Sequence, residues 1–181
     1  MNKIIKFLIP KITLIYYIAI CNLFLLPYYV SYANDHENRG KFSSLPIPRF
    51  VSLKTEPVYM RRGPGIRYPI LWVFQKSALP LEVLREFNTW REVRDLEGDI
   101  GWIHQSMLSG IRTGIVKSNL IPLHKGSNIK SEIIGKLEKG IVLSLETCPE
   151  KITFCYVKVK NIKGWVNKDE LWGLYKNEII D

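Results

Sequence analysis

The amino-acid sequence predicts an all-β protein made of two small units in tandem. Three observations carry that expectation. From Phe50 onward the chain is a series of short apolar runs broken by Gly, Pro, Asn and Asp, the texture of antiparallel strands joined by turns. No segment shows a long helical period. A pattern also recurs at an offset of 63 residues. Gly63 meets Gly126, Ile70 meets Ile133 and Lys76 meets Lys139; Gly101-Trp102 meets Gly164-Trp165, Leu108 meets Leu171 and Gly110 meets Gly173. A one-residue slip sets Val93 on Val157. The offset defines units at 50–110 and 111–173 and a C-terminal tail at 174–181. A β unit of about 60 residues buries a small core and is marginal alone, so packing between the units, or a covalent staple, is expected.

Residues 1–33 read as an export segment. Lys3, Lys6 and Lys11 come first without an acid, Ile12–Val30 is uncharged and apolar, and Ser31-Tyr32-Ala33 has small residues at its first and third places. That order describes a signal peptide, with cleavage expected after Ala33. Pro27 ends the apolar helix just before the exit site and favours cleavage. The alternative is an anchor in the inner membrane through residues 12–30, since about 20 apolar residues span a bilayer. Cys21 is not read as a lipidation site, because Ile20 stands where a lipobox wants a small residue. Export implies a periplasmic or envelope location.

Residues 34–49 are polar and then Pro-containing, and read as a flexible linker. Strands are expected at Phe50–Lys54, Val58–Arg61, Ile70–Phe74, Leu81–Glu86, Trp90–Arg94 and Gly101–His104, with turns at Asn88-Thr89 and Glu97-Gly98-Asp99. Gly63-Pro64-Gly65 reads as a tight turn whose glycines are free to take positive φ. Gly101 and Gly164 sit beside Trp102 and Trp165, where a missing side chain would let a ring lie over the backbone. The alternation there points both Trp into the core, and Trp172 reads as a docking residue between the units.

Charge and composition exclude several classes. Lys plus Arg number 26 against 17 acids, a net charge of +9, and the export segment holds three of the Lys. The remaining mild basic excess suits solubility or attraction to anionic envelope polymers. Export removes the chain from nucleic acid. A hydrophobic content of 46% excludes a disordered chain, and three Cys exclude a Cys-dense scaffold.

After cleavage only Cys148 and Cys155 remain. They end one expected strand and open the next, so a hairpin brings them to disulfide distance in an oxidising compartment. The bridge removes both thiolates, and no His pair completes a metal set, so no metal, no cofactor and no catalytic residue is expected. His36, His104 and His124 read as surface residues. No H-E-x-x-H, G-x-S-x-G or phosphate-binding Gly-rich loop occurs.

Val58-Tyr59-Met60-Arg61-Arg62-Gly63-Pro64-Gly65 resembles the V-N-V-R-x-G-P-G opening of bacterial SH3-like domains. Trp90-Arg91-Glu92-Val93 resembles their W-x-x-V strand, and Gly101-Trp102-Ile103 and Gly164-Trp165-Val166 their G-W-V strand. The resemblance covers 50–173 and is nearest to exported tandem proteins of alphaproteobacterial type. It implies two small SH3-like β-barrels and a ligand in peptidoglycan, a cell-wall peptide or an envelope protein. The chain departs from the pattern where Tyr59 replaces the usual Asn. It departs again where Leu123-His124-Lys125-Gly126-Ser127-Asn128 lacks the Arg and the Gly-Pro-Gly turn. The residues themselves place a binding surface in the first unit: Arg61, Arg62 and Arg67 offer planar forks for carboxylate or phosphate, and Tyr68 and Trp72 offer stacking faces. The second unit is Lys-rich instead, at Lys117, Lys125, Lys130, Lys136 and Lys139. The alternative functions are a periplasmic interaction scaffold or an accessory to a wall hydrolase.

Overall fold

The computed structural model describes residues 39–181; the signal-peptide, anchor and cleavage-site readings lie outside the described residues. The first sheet contains β1 (Arg49–Leu53), β2 (Val58–Arg61), β3 (Ile70–Phe74), β4 (Pro80–Phe87), β5 (Trp90–Arg94), β6 (Ile100–His104) and β7 (Leu108–Ser109). The second contains β8 (Thr113–Val116), β9 (Leu120–His124), β10 (Ile133–Glu138), β11 (Val142–Thr147), β12 (Phe154–Val159), β13 (Ile162–Asn167) and β14 (Leu171–Trp172). Short 3-10 turns at Gln105–Met107 and Lys168–Glu170 precede the last strand of each. Every ladder is antiparallel. The fold is therefore all-β.

The first sheet runs β3-β2-β6-β5-β4-β1-β7 and the second β10-β9-β13-β12-β11-β8-β14, the same order strand for strand. Loop hydrogen bonds recur with it. Arg62 N donates to Pro69 O and Lys125 N to Glu132 O; Gln105 N donates to Thr89 O and Lys168 N to Thr153 O. Neither sheet closes: no ladder joins β3 to β7 or β10 to β14, so both are open where the resemblance implied barrels.

Each sheet buries its own core. In the first, Val51, Leu53, Val58, Met60, Leu81, Val83, Val93 and Ile103 cluster. In the second, Ile121, Leu123, Leu143, Leu145, Val157 and Val166 pack around the two cysteines. Trp102 and Trp165 belong to neither cluster. Gly101 and Ile103, and likewise Gly164 and Val166, are the buried residues of their strands, so the Trp side chains lie half-buried on the other face. The period of two was right and its phase wrong. The glycines meet the neighbouring strand, not a Trp ring. A Cβ on Gly101 would sit 2.6 Å from Met60 Cγ and 2.9 Å from Arg61 O, and one on Gly164 would sit 2.8 Å from His124 O.

Side chains join the two sheets. Phe50 is edge-on to Trp172 at 5.2 Å between ring centroids and tilted against Tyr175 at 4.9 Å. Thr113 Oγ1 donates to Ala78 O at 2.7 Å, and Ser52 Oγ to Ile111 O at 2.8 Å. Tyr175 Oη donates to Glu82 Oε1 at 2.9 Å. Burial, the bond to Glu82 and the charges of Glu82 and Glu178 all push the Tyr175 hydroxyl well above its ordinary pKa. The C-terminal residues are thus structural: Ile180 exchanges backbone hydrogen bonds with Cys148, and Glu178 pairs with Arg112.

The expected linker is also held from Arg39 onward. The Glu86 side chain, 1% exposed, accepts from Ser43 Oγ at 2.6 Å, Ser43 N at 2.9 Å and Phe42 N at 3.2 Å. It also pairs with Arg49 at 2.9 Å and Arg91 at 3.3 Å. Burial raises the Glu86 pKa, but the bonds from Ser43 and Arg49 and the charge of Arg91 outweigh it and hold the carboxyl at about 2. Polar sequence was read as freedom; here it supplies donors to a buried carboxylate.

Candidate functional site

The site lies on the hairpin of β2 and β3. Two short strands bring their connecting loop, 62–69, to one end of the sheet. Gly63 is buried there because the Tyr68 ring lies over it: a Cβ would sit 2.5 Å from that ring. Neither Gly63 nor Gly65 adopts positive φ. The requirement for glycine at 63 is therefore steric. Gly65 N donates to Gly63 O at 2.9 Å and Tyr68 N to Gly65 O at 3.2 Å, which fixes the turn.

Three of the five expected site residues, Arg62, Arg67 and Tyr68, lie on this loop, and Arg61 ends the strand that leads into it. Arg61 Nη1 donates to Tyr68 O at 2.8 Å, tying the strand to the loop. The Arg67 guanidinium lies 5.6 Å from the Tyr68 ring centroid, a cation–π distance. Arg62 is exposed, with its backbone N–H bonded to Pro69 O. Trp72 stands apart. It is registered opposite Met60, whereas Arg61 is registered opposite Ile70 and Trp102. Trp72 is still 53% exposed.

Charge sets this surface off from the rest of the sheet. Residues 58–81 contain Arg61, Arg62, Arg67 and Lys76 and no acid. Among the described residues none of these four has a carboxylate partner, while Arg49, Arg85, Arg91, Arg94 and Arg112 are all ion-paired. Within the first sheet the pairing leaves a net cationic face on the β2–β3 hairpin.

Sequence reading missed the apolar half of this surface. Tyr59, Ile66, Ile70, Leu71 and Val73 are all exposed, Ile66 at 82%. A run such as Ile-Leu-Trp-Val-Phe reads as a strand, but only the sheet order shows that it is an outer one.

In the second unit His124 takes the place of Arg61. Its Nδ1 is 3.0 Å from Ser131 O, and its ring is edge-on to Phe154 at 5.7 Å. It is buried at 2% exposure, not a surface residue. His104 uses Nδ1 to cap the first 3-10 turn, accepting from Ser106 N. His36 lies outside the described residues. Trp90 is half-buried and edge-on to His104 at 5.4 Å.

Cys148 and Cys155 form a disulfide with their Cα atoms 4.3 Å apart, both fully buried. Among the described residues no group of three His, Cys, Asp or Glu side chains is placed to hold a metal. No described helix is long and apolar enough to cross a membrane.

Residues 54–110 match the family model of the bacterial SH3 domain. The match covers β2 to β7 of the first sheet, its cationic hairpin included, and makes this part of the chain similar to a bacterial SH3 domain. A comparison with curated proteins finds no match. Among solved structures the chain is similar to NlpC2 from Trichomonas vaginalis at 14% identity and a TM-score of 0.32, over 69% of this chain and 48% of that one. It is similar to NlpC1 from the same organism at 14% identity and a TM-score of 0.32, over 74% of this chain and 48% of that one. The chain spans about half the length of each.

Proposed function

We propose that this protein is a non-enzymatic binding module of the bacterial cell envelope, reading peptidoglycan or a cell-wall peptide through the β2–β3 hairpin. One observation carries the reading: the part of the chain that matches a bacterial SH3 domain presents its unpaired arginines beside an exposed aromatic surface. Arg62 and Arg67 suit the carboxylates of peptide stems, and Tyr68 and Trp72 suit stacking on flat or apolar faces. The disulfide leaves no free thiolate for nucleophilic chemistry among the described residues. Export by residues 1–33 places the protein in the periplasm, and the second sheet is a second copy of the same unit that supports the first.

The test is co-sedimentation with purified sacculi. The protein is expected to pellet, and Arg62→Ala combined with Tyr68→Ala to lower the bound fraction roughly tenfold, the scale of two lost surface contacts. Unchanged pelleting by a folded double variant overturns the assignment of the site, and absence of pelleting overturns the wall reading. Loss of mass from muropeptides on incubation would overturn the non-enzymatic reading. An envelope protein is the second candidate ligand, favoured by the exposed outer strand of the first sheet.

A further inference from the structure

The outer edge of β3 is open. Among the described residues β3 pairs only with β2, so alternate N–H and C=O groups of Ile70–Phe74 face away from the sheet without strand partners. Such an edge is a template for another strand, and folded proteins normally blunt it with charge, proline or cover. The strand Ile-Leu-Trp-Val-Phe carries no charge and no proline, and Ile70, Leu71, Trp72 and Val73 are 37–53% exposed. Its one irregularity is a bulge at Leu71, where Met60 pairs with Trp72 and Arg61 with Ile70. β10 holds the same place in the second sheet and has the same irregularity at Ile134, but it also carries Lys136 and Glu138. The first sheet alone lacks that protection.

Charge selects the occupant. Arg62 and Arg67 lie beside the Ile70 end of β3, and Lys76 lies two residues past Phe74. A second copy of this chain pairing through β3 would set two acid-free, tetracationic hairpins against each other. From this we infer that β3 accepts, by strand addition, an extended peptide of a partner protein that carries acids at both ends of a short apolar, β-branched run. The peptide backbone extends the ladder, its apolar side chains cover Ile70, Trp72 and Val73, and its acids meet the unpaired cations. The inference rests on the hairpin being a binding face and names its partner; it does not require a wall ligand.

The probe is a synthetic acetylated and amidated peptide with two acids flanking four β-branched residues on each side. Added to the isotope-labelled protein, it is expected to slow amide exchange within Ile70–Phe74 while leaving β10 unchanged. Three controls carry the test. N-methylation of alternate peptide bonds is expected to abolish binding, and replacing the acids by Lys to weaken it at least tenfold. The folded variant Arg62→Glu with Arg67→Glu is expected to weaken it roughly tenfold. Protection elsewhere, indifference to N-methylation, or equal binding of the Lys peptide overturns the inference. So does concentration-dependent self-association through β3 in sedimentation, which would make the occupant a second copy. Sacculus pelleting is run on the same preparation. Peptide binding without pelleting removes the wall ligand and keeps strand addition, and pelleting without β3 protection does the reverse.

Discussion

Glu86→Gln tests how the segment before β1 is held. The wild-type carboxylate is 1% exposed, accepts three hydrogen bonds from Phe42 and Ser43, and faces Arg49 and Arg91. The Gln side chain keeps the shape but loses the charge, leaving the Arg91 guanidinium (6% exposed) beside a neutral amide. The size of the effect follows from linkage. A carboxyl at about 2 in the folded chain against an ordinary 4.5 differs by roughly 2.5 pH units, or about 3 kcal/mol. The folded pKa is depressed, so this stability is fully present above pH 4.5 and is lost as pH falls toward 2. Urea denaturation of both proteins from pH 7 to pH 2 measures it. At pH 7 the variant is expected to be less stable by about 3 kcal/mol, a loss comparable to breaking other buried pairs. The gap is expected to close between pH 4.5 and 2 as the wild-type carboxyl takes up its proton. A gap that stays constant with pH, or one under about 1 kcal/mol at pH 7, would refute the view that charge at Glu86 holds residues 42–43.

Two further outcomes check the packing. Reducing the Cys148–Cys155 bridge, or replacing both by Ser, is expected to cost about 2–3 kcal/mol by closure of a short loop. Because Cys148 also pairs with Ile180, faster proteolysis at residues 174–181 is expected to accompany the loss; an unchanged denaturation midpoint speaks against it. Gly101→Ala is expected to cost about 1–3 kcal/mol by pressing on Met60 and the Arg61 carbonyl. Gly110→Ala, with nothing within 4 Å, is the matched control and should change stability by less than about 0.5 kcal/mol. Equal effects at the two glycines would contradict the steric account.

Local features were legible wherever a short segment decides them. Val58–Arg61, Ile70–Phe74 and Trp90–Arg94 are strands with the expected bounds, and the Asn88-Thr89 turn has Asn88 at positive φ. The cysteine pair was legible because a hairpin fixes its distance. Three things were not. The Gly63 requirement depends on where the Tyr68 ring falls, five residues on. The burial of His124 depends on Phe154, a ring from another strand. The phase of Trp102 and Trp165 depends on the close approach of Gly101 to Met60 and of Gly164 to Leu123 on the neighbouring strands.

The β class, the turn positions, the disulfide and the clustering of Arg61, Arg62 and Arg67 in one acid-free stretch were readable in the sequence, because each follows from residue chemistry over a few neighbours. Only the fold shows that β3 is an outer strand, that Arg49, Arg85, Arg91, Arg94 and Arg112 are neutralised while Arg61, Arg62 and Arg67 are not, and that residues 42–49 and 178–180 are held against the sheets. Those are matters of long-range register. A cation's partner can lie 66 residues away, as Glu178 does from Arg112, and an apolar run shows the same pattern whether or not another strand lies beside it.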